Sequence, residues 1–334
     1  MDNDVILQLE GIKKYFPIKK GFLGKKTGYV KAVDNVSLAI KEGETLGLVG
    51  ESGCGKTTLG RCVVRGIEAT EGSITMRTGD GILPFHSLKG KSLKEARKNI
   101  QMIFQDPYSS LDPRMTVYDI IGEPLRANII DPSVDIDERI KYLAEVVGLN
   151  VKYLKRYPHA FSGGQRQRIG IARALALSPK VIVCDEAVSA LDVSVQAQVI
   201  NLLNSLKQEL GLTLVFVAHD LSVVRHISNR VAVMYLGIIV EMSSCANVFS
   251  NPRHPYTEAL MSAVPKPDPR NRMDRIILEG EVPNPANPPK GCHFHPRCRY
   301  ALEICKFQRP DFAEVGEGHF SACHRSGDIE LNGV

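Results

Sequence analysis

The chain has 334 residues, 43% of them hydrophobic, and carries a formal net charge of +5. This length suits one large domain with an appendage, or two domains, and the apolar content is ample for a core. The diffuse basic excess gives no indication of nucleic-acid binding, and no apolar run approaches the ~18 residues of a membrane span.

The N-terminus is acidic and has no signal-peptide pattern, so we expect a cytoplasmic chain. Its eight cysteines are therefore not expected to form a disulfide scaffold. Four are dispersed through the body of the chain. The other four lie close together near the C-terminus: Cys292, Cys298, Cys305 and Cys323.

Apolar runs alternate with segments of helical spacing along most of the chain. Strands are predicted at residues 5–9, 45–49, 72–76, 100–104, 181–184 and 213–218, with two antiparallel strands over 30–40 and a hairpin over 230–242. Helices are predicted at residues 58–64, 117–127, 136–147, 165–176, 195–210 and 221–227, and an exposed loop at residues 19–28. Most strands are apolar throughout, which indicates a largely parallel α/β core.

Two segments depart from this alternation. Residues from about 106 to 160 have helical spacing and predict a helical subdomain inserted into the sheet domain. Beyond residue 250 prolines multiply, so only residues 256–263 are predicted to be helical and the rest is expected to be an extended, loop-rich tail. The expected division is a domain over residues 1–250 followed by one over 251–334.

Residues 50–58 match the phosphate-loop pattern G-x-x-x-x-G-K-[ST], between a predicted strand and a predicted helix. Glycines let backbone N–H groups turn inward around phosphate oxygens, and the helix N-terminus adds about half a positive charge. Lys56 is expected to reach the β- and γ-phosphates and Thr57 to hold Mg²⁺. The residues predicted to bind nucleotide here are Ser52, Gly53, Cys54, Gly55, Lys56, Thr57 and Thr58.

Polar side chains follow three of the predicted strands. Asp185 closes an apolar strand, where a carboxylate can hold Mg²⁺, and Glu186 beside it suits a general base that polarises the attacking water. Gln105 is a candidate to sense the metal or the water, and His219 to contact the γ-phosphate. A lone glutamine or histidine at a strand end is more often structural, so these two assignments depend on the rest of the set.

A second glycine turn, Ser162-Gly163-Gly164-Gln165, opens a predicted helix and offers another anion site. One nucleotide does not need two such sites from one chain. A second subunit can supply the second site, so a dimer that binds nucleotide between two chains is the simplest interpretation.

These motifs occur along the chain in one order: the phosphate loop, Gln105, Ser162–Gln165, Asp185 with Glu186, residues 189–192 and His219. Over residues 5–250 the chain resembles the ATP-binding-cassette (ABC) ATPases. The resemblance implies a P-loop NTPase α/β core with an antiparallel β subdomain. It also implies that two chains enclose two ATP and two Mg²⁺, and that residues 189–192 communicate across the dimer.

The resemblance assigns roles to individual residues. Phe16 would stack on adenine, with Tyr15 as the alternative. The signature serine and glycines of the opposite chain, Ser162 and Gly164 among them, would contact the γ-phosphate. The implied Mg²⁺ ligands are Thr57, Gln105 and Asp185, and the implied catalytic residues are Glu186, His219 and Gln105. Two positions depart from the commoner family pattern: Phe161 replaces Leu, and Ala187 replaces Pro.

Narrower features resemble the dipeptide/oligopeptide importer ATPases over nearly the whole chain: residues 105–114, residues 185–194 and the tail after residues 251–257. Residues 59–61 look closer to the second, F-type, ATPase subunit of such systems. The implied partners are a paralogous ATPase subunit or an identical copy, two transmembrane permease subunits docked on the helical subdomain and, indirectly, a periplasmic or extracellular peptide-binding protein. The chain would lie peripherally on the cytoplasmic face of the membrane, with no nucleic-acid partner.

Three other functions remain open on the sequence. One is a soluble ABC ATPase acting on nucleic acid or ribosomes. Such chains usually carry two cassettes or a long coiled-coil insert, and neither pattern is present here. Another is an importer ATPase for nickel or another small solute. The third is a binding module in which the cysteine tail senses metal or redox state and the ATPase is secondary.

The C-terminal cysteines are separated by five, six and seventeen residues, with histidines between them. Inert thiols, a structural Zn²⁺ and an iron–sulfur cluster are the alternatives. The paired C-x₂-C spacing usual for zinc is absent. A [4Fe–4S] cluster on four thiolates is preferred, because some of the importer ATPases that the chain resembles carry one on such a tail. A metal centre would stabilise a proline-rich segment that buries little surface.

Overall fold

The structure is a computed structural model that describes residues 1–20, 25–79, 81–128, 135–264 and 275–334. The chain divides into two compact units. Unit 1 comprises residues 1–40, 44–86 and 218–334, and unit 2 comprises residues 41–43 and 87–217. Among the described residues, no helix combines the length and the apolar character needed to cross a membrane.

Both units contain strands and helices. The strands are β1 (Val5–Lys20), β2 (Lys25–Lys41), β3 (Thr45–Val49), β4 (Glu71–Thr78), β5 (Gly81–Leu83), β6 (Ile100–Ile103), β7 (Val181–Asp185), β8 (Thr213–Val217), β9 (Arg230–Tyr235), β10 (Ile238–Ser244), β11 (Ala313–Gly316) and β12 (His319–Ser321). The helices are α1 (Lys56–Val63), α2 (Gly90–Arg97), α3 (Val117–Asn128), α4 (Ile136–Val146), α5 (Gly163–Leu175), α6 (Val193–Leu210), α7 (Leu221–Ile227), α8 (Cys245–Ser250), α9 (Pro255–Ser262) and α10 (Ile304–Phe307).

Unit 1 contains two sheets. In one, the strand order is β2-β1-β4-β5, with β4 antiparallel to both β1 and β5. In the other, the order is β11-β12-β10-β9-β3, and β9 pairs parallel with β3. Helix α7 packs closely on β3, because a Cβ on Gly47 would lie 2.7 Å from Val224 and 2.6 Å from the Ser228 hydroxyl. This parallel pair carries the phosphate loop at its end.

Unit 2 is built on the parallel strands β8-β7-β6. Strands β7 and β8 are buried along their whole length, which explains their continuous apolar sequences. Their registers align Ile103 with Cys184 and Asp185 with Val217, so all three strands end at one edge. Helices α3, α4 and α5 pack on one another, and α5 also packs on β6 and α6.

The tail contributes to the second sheet of unit 1. Strand β12 pairs antiparallel with β10, aligning Phe320 with Met242. The fully buried Glu241 carboxylate accepts the N–H groups of Arg253 and His254 and is hydrogen-bonded to His319 Nε2 at 2.7 Å. A carboxylate with this many partners tolerates burial, and here it fastens the tail to the sheet.

Several predicted elements are confirmed, among them β3, the helices at α3 to α7 and the hairpin β9–β10. The two strands predicted over residues 30–40 are wrong, because one strand, β2, continues through Asn35 at a φ of 59°. Strand β1 is far longer than the predicted residues 5–9. The loop predicted at 19–28 is strand at residues 19–20 and 25–28, and residues 21–24 lie outside the described residues.

The tail also departs from the prediction. It was expected to hold one helix, at residues 256–263, which α9 confirms, but it also contains α10, β11 and β12. Short strands of three or four residues give little periodic signal and depend on a partner strand that precedes them by many residues. The division at residue 250 stays a prediction.

His254 caps α9 from within the core. Its Nδ1 accepts the Tyr256 N–H at 3.1 Å, and burial lowers the pKa of His254 to about 3. Because its folded-state pKa lies below the unfolded value of about 6.5, its neutral form is stabilising above pH 6.5. That contribution is lost as the pH falls from 6.5 towards 3, since the unfolded chain takes up the proton first.

We expect His254→Asn to reduce this acid sensitivity, because asparagine keeps a capping acceptor but does not titrate. Between pH 7 and pH 5 the wild-type protein should lose about 2 kcal/mol more unfolding free energy than the variant. Denaturant titrations at both pH values measure this difference. The exposed His226→Asn variant is the control, and parallel pH profiles for wild type and His254→Asn would contradict the assignment.

Candidate functional site

The phosphate loop joins the end of β3 to α1. Gly50, Gly53 and Gly55 have φ angles of 150°, 78° and 108°, in the region that favours glycine. A Cβ on Gly50 would lie 2.1 Å from the Met234 carbonyl oxygen, and one on Gly55 would lie 2.0 Å from that of Ala32. Close backbone approach therefore requires glycine at both positions.

Lys56 begins α1 and folds back over the loop. Its ammonium donates to the carbonyl oxygens of Gly50 at 2.7 Å and Glu51 at 2.9 Å, and Nζ lies 3.7 Å from Cys54 Sγ. Both Lys56 and Cys54 are buried, and burial raises the pKa of the Cys54 thiol against the opposing effect of Lys56. A buried ammonium needs acceptors, so Lys56 is held where phosphate oxygens can replace these carbonyl groups.

The remaining loop residues are arranged around the helix end. Ser52 and Gly53 are exposed, and Thr57 and Thr58 are half-buried. The N-cap of α1 is Gly55, which provides no side-chain hydrogen bond to the first turn. The first turn of α1 thus has no side-chain cap of the kind that Ser, Thr or Asp would supply.

Two residues of the C-terminal region contact the loop at Glu51. The Glu51 N–H donates to the Tyr256 hydroxyl at 2.7 Å, and its carboxylate accepts from both Nη atoms of Arg297, at 2.8 and 3.2 Å. The sequence analysis missed both contacts. Neither motif nor spacing links positions separated by more than 200 residues, so no signal in the single sequence identifies them.

The carboxyl edge of the sheet in unit 2 brings together three predicted residues. Asp185 is buried at the end of β7, and Glu186 follows it with a φ of 45°. The Glu186 N–H donates to Val217 O at 3.0 Å, and its Oε2 accepts from Gln105 Nε2 at 2.7 Å. A left-handed glutamate costs about 1–3 kcal/mol, and such strain clusters at functional sites.

Ser162 and Gln165 form a capping box at the start of α5. The Gln165 N–H donates to Ser162 Oγ at 3.4 Å, and Gln165 Oε1 accepts the Ser162 N–H at 3.1 Å. Because Ser162 Oγ accepts here, its own O–H proton can be donated to an anion. Gly163 is half-buried, and a Cβ on Gly164 would lie 2.4 Å from Val195, so this glycine lets α5 approach α6.

Residues 189–192 form a well-bonded turn after β7. The Ser189 hydroxyl and N–H both donate to the Glu186 carbonyl oxygen. Asp192 is the N-cap of α6, and hydrogen bonds from Ser194 first, and then from the Val195 N–H, hold the pKa of Asp192 below its usual value. This turn ties the start of α6 directly to Glu186.

The remaining predicted residues lie in unit 1. His219 is exposed in the connection between β8 and α7. Phe16 is 39% exposed, and the Lys14 ammonium lies 5.1 Å from its ring centroid. Tyr15 donates its hydroxyl to Asp34 at 2.5 Å, and burial first, then this hydrogen bond, raises the pKa of Tyr15. Phe16 is thus partly exposed with the Lys14 ammonium over its ring, whereas the Tyr15 hydroxyl is held by Asp34.

The four C-terminal cysteines share one neighbourhood. The Cys292 N–H donates to Cys305 O at 2.9 Å, and a Cβ on Gly291 would lie 2.4 Å from that same oxygen. Burial first, then the charges of the other three cysteines, raises the pKa of Cys323 to about 12. Burial likewise raises the pKa of Cys298 to about 11, with further contributions from Cys292 and Cys305. All eight cysteines are free.

The expected metal centre gains no support from this arrangement. Over the described ranges, no group of three or more His, Cys, Asp and Glu side chains is placed to hold a metal ion. Neither the [4Fe–4S] cluster nor the alternative Zn²⁺ at Cys292, Cys298, Cys305 and Cys323 is therefore supported by the geometry. The four thiols lie near one another without forming the compact set of ligands that a single ion needs.

Comparison with known proteins places these features in a family. Residues 33–189 match the family model for ABC transporters. Residues 240–305 match the model for the C-terminal region of oligopeptide/dipeptide transporters. The second match covers Tyr256, Arg297 and the first three of the clustered cysteines.

Several characterised proteins are similar over almost their whole length. The chain is 53% identical to the oligopeptide transport ATP-binding protein AppF of Bacillus subtilis, over 97% of this chain and 98% of AppF. It is 52% identical to OppF of Salmonella typhimurium, over 95% and 94% of the two chains. It is 49% identical to the dipeptide transport ATP-binding protein DppF of Haemophilus influenzae, over 96% and 97%.

Solved structures agree with these matches. The ATP-binding cassette MJ0796, a dimer with ADP and phosphate bound, is 27% identical and has a TM-score of 0.62, covering 72% of this chain and 98% of that one. The protein cbiO1 of Clostridium perfringens, part of the ABC transporter complex cbiONQ, is 26% identical, also with a TM-score of 0.62, covering 74% of this chain and 91% of that one. The chain therefore belongs to the ABC transporter ATP-binding proteins, in the group that carries the oligopeptide/dipeptide transporter C-terminal region.

The close approaches in the phosphate loop predict that two glycine variants differ in their affinity for ATP. Gly55→Ala should weaken ATP binding roughly 100-fold, because its Cβ collides with the backbone oxygen of Ala32 and displaces the loop. Gly53→Ala meets nothing within 4 Å, so we expect only conformational strain of about 1–2 kcal/mol. Isothermal titration with ATP separates the two, and equal losses of affinity would contradict the steric argument.

Proposed function

We propose that this chain is the ATP-hydrolysing subunit of an importer for oligopeptides or dipeptides. The observation that carries the proposal is its 53% identity with AppF, which extends through the C-terminal region. Such a subunit works as a pair, with an identical or paralogous chain, and couples hydrolysis to transport through permease subunits. The chain would then be peripheral, on the cytoplasmic face of the membrane, and a peptide-binding protein would deliver the substrate.

The phosphate loop and Lys56 would bind the ATP phosphates. The buried Lys56 ammonium, already held by carbonyl oxygens, supports this role, because a phosphate offers it equivalent acceptors. Ser52–Thr58 would supply N–H groups at the helix N-terminus. The exposed ring of Phe16 suits stacking on adenine.

The residues available for Mg²⁺ are a hydroxyl, a carboxylate and an amide, which are hard oxygen ligands of the kind this ion prefers. They are Thr57, Asp185 and Gln105. Gln105 donates its Nε2 to Glu186, so its amide oxygen would be the atom that could bind the ion. When bound, Mg²⁺ neutralises charge on the β- and γ-phosphates.

Glu186 would act as the general base. Gln105 orients its carboxylate and Val217 fixes its backbone, so the base is positioned before substrate arrives. His219 would contact the γ-phosphate. The Ser162 hydroxyl, with Gly163, Gly164 and Gln165, would complete the site of the opposite chain at a helix N-terminus.

Reconstitution tests this function. Vesicles that contain the chain, its permease subunits and its peptide-binding protein should take up peptide only with ATP. Glu186→Gln should lower hydrolysis on the order of 10²–10⁴-fold and abolish uptake, because the amide cannot accept the proton of water, while ATP still binds and holds the dimer together. Glu209→Gln, an exposed glutamate of unit 2 outside the helical subdomain, is the control.

The outcomes separate the alternatives. Full turnover in Glu186→Gln would refute the assigned base. Uptake of nickel without peptide would overturn the substrate class. Stimulation of hydrolysis by RNA, DNA or ribosomes, with no response to the permease subunits, would overturn the importer assignment.

We further propose that Cys292, Cys298, Cys305 and Cys323 hold a [4Fe–4S] cluster with a structural role. The proposal rests on the four cysteines in the tail and on the match of residues 240–305 to the C-terminal region of oligopeptide/dipeptide transporters. The surrounding chain has short elements and buries little surface, so a metal centre would stabilise it.

Anaerobic purification checks the cluster. We expect brown protein with four irons and four sulfides per chain, because four thiolates are the usual ligands of this cluster. Cys298→Ser and Cys305→Ser should lose iron and lower the melting temperature of unit 1, whereas Cys245→Ser, outside the group, should retain iron. Colourless protein with one zinc per chain, or metal-free protein of unchanged stability, would contradict the proposal.

A further inference from the structure

Glu51 is held at three points by groups outside its own peptide. Its N–H donates to Tyr256, and its carboxylate is bound by Arg297. Its carbonyl oxygen accepts from Lys56 Nζ at 2.9 Å and from the Cys54 N–H at 3.3 Å. One residue therefore connects the C-terminal region to the ammonium that is to bind phosphate.

The two C-terminal contacts come from rigid surroundings. The fully buried Tyr256 ring lies 4.6 Å from the Tyr235 centroid and 5.4 Å from that of Phe294. The Arg297 side chain is only 7% exposed and ends a 3₁₀ turn that begins at His295. Tyr256 cannot follow Glu51 without disturbing packed aromatic rings, and the buried Arg297 also donates to the Tyr235 hydroxyl at 3.5 Å, so both hold its position.

The ion pair also has an electrostatic consequence. Glu51 adjoins a loop that is to bind a polyanion, and its carboxylate is about one quarter exposed. The Arg297 guanidinium binds it in the bidentate manner that suits arginine better than lysine. Without Arg297, the Glu51 charge would repel the incoming phosphates as well as losing its anchor.

We propose that Tyr256 and Arg297 are positioning residues that hold the phosphate loop through Glu51, so that the C-terminal region sets the affinity of the loop for nucleotide. This inference rests on the proposed role of Lys56 and the loop in ATP binding. Neither residue needs to contact the nucleotide. Their effect passes through the Glu51 peptide to Lys56 and Cys54.

The test measures binding of Mg-ATP to the purified full-length chain and the steady-state ATPase kinetics. Arg297→Met should raise the Kd and KM for ATP roughly 5- to 30-fold, with kcat at saturating ATP within about two-fold, because ground-state positioning is lost. Tyr256→Phe should have a smaller effect in the same direction. Arg297→Lys should restore part of the affinity, since it keeps the charge but not the bidentate geometry.

Comparing a double variant with the single variant isolates the effect of the Glu51–Arg297 ion pair on ATP binding. Adding Glu51→Gln to Arg297→Met removes the uncompensated carboxylate, so the double variant should bind ATP more tightly than Arg297→Met alone. If the double variant instead lost ATP affinity by the product of the two single-variant losses, the proposal would be overturned. Unchanged affinity in Arg297→Met would also overturn it.

A control variant separates positioning from general destabilisation of the tail. Arg299→Gln changes a neighbouring arginine that bonds Glu258 and Tyr300 and does not contact the loop. It should leave the Kd for ATP unchanged even where the melting temperature falls. An equal loss of affinity in Arg299→Gln would overturn the specific role of Arg297. Wild-type protein that fails to bind ATP would instead refute the proposed function itself.

Discussion

The close approach of the phosphate loop to two backbone carbonyl groups is the constraint on which the rest of unit 1 depends. Gly50 passes Met234 of β9, and Gly55 passes Ala32 of β2, at distances that leave no room for a Cβ. The loop therefore packs directly against the backbone of both strands. The C-terminal residues that reach Glu51 add two further contacts to the same loop.

The polar side chains of unit 2 are brought together in a different way. Parallel strands end together, so residues just after β6 and β7 meet at one edge without any specific long-range contact. Gln105 and Glu186 find each other in this way, 81 residues apart. The turn at residues 189–192 then holds the Glu186 carbonyl oxygen, and the strained φ of Glu186 is maintained by these surroundings.

Local patterns predicted most of this architecture. The strand before the loop, the helix that starts after Ser162 and the polar residues at the strand ends were all predicted, because each depends on a few consecutive residues. Strand β2 was not, because Asn35 in a left-handed conformation looks like a turn although the strand continues. Strands β11 and β12, and the contacts of Tyr256 and Arg297 with Glu51, depend on pairing between distant segments, which a single sequence does not record.

The Glu51 contacts also determine when, during synthesis, the phosphate loop gains its distant supports. Tyr256 and Arg297 follow Glu51 by 205 and 246 residues, and β9 is likewise far downstream of the loop that it supports. Chains grow from the N-terminus at about 5–20 residues per second, so the loop is made many seconds before its supports. A nascent chain therefore lacks these two contacts until nearly all of it has been translated. On the proposed positioning role, the full affinity for nucleotide arises late, as a property of the completed polypeptide.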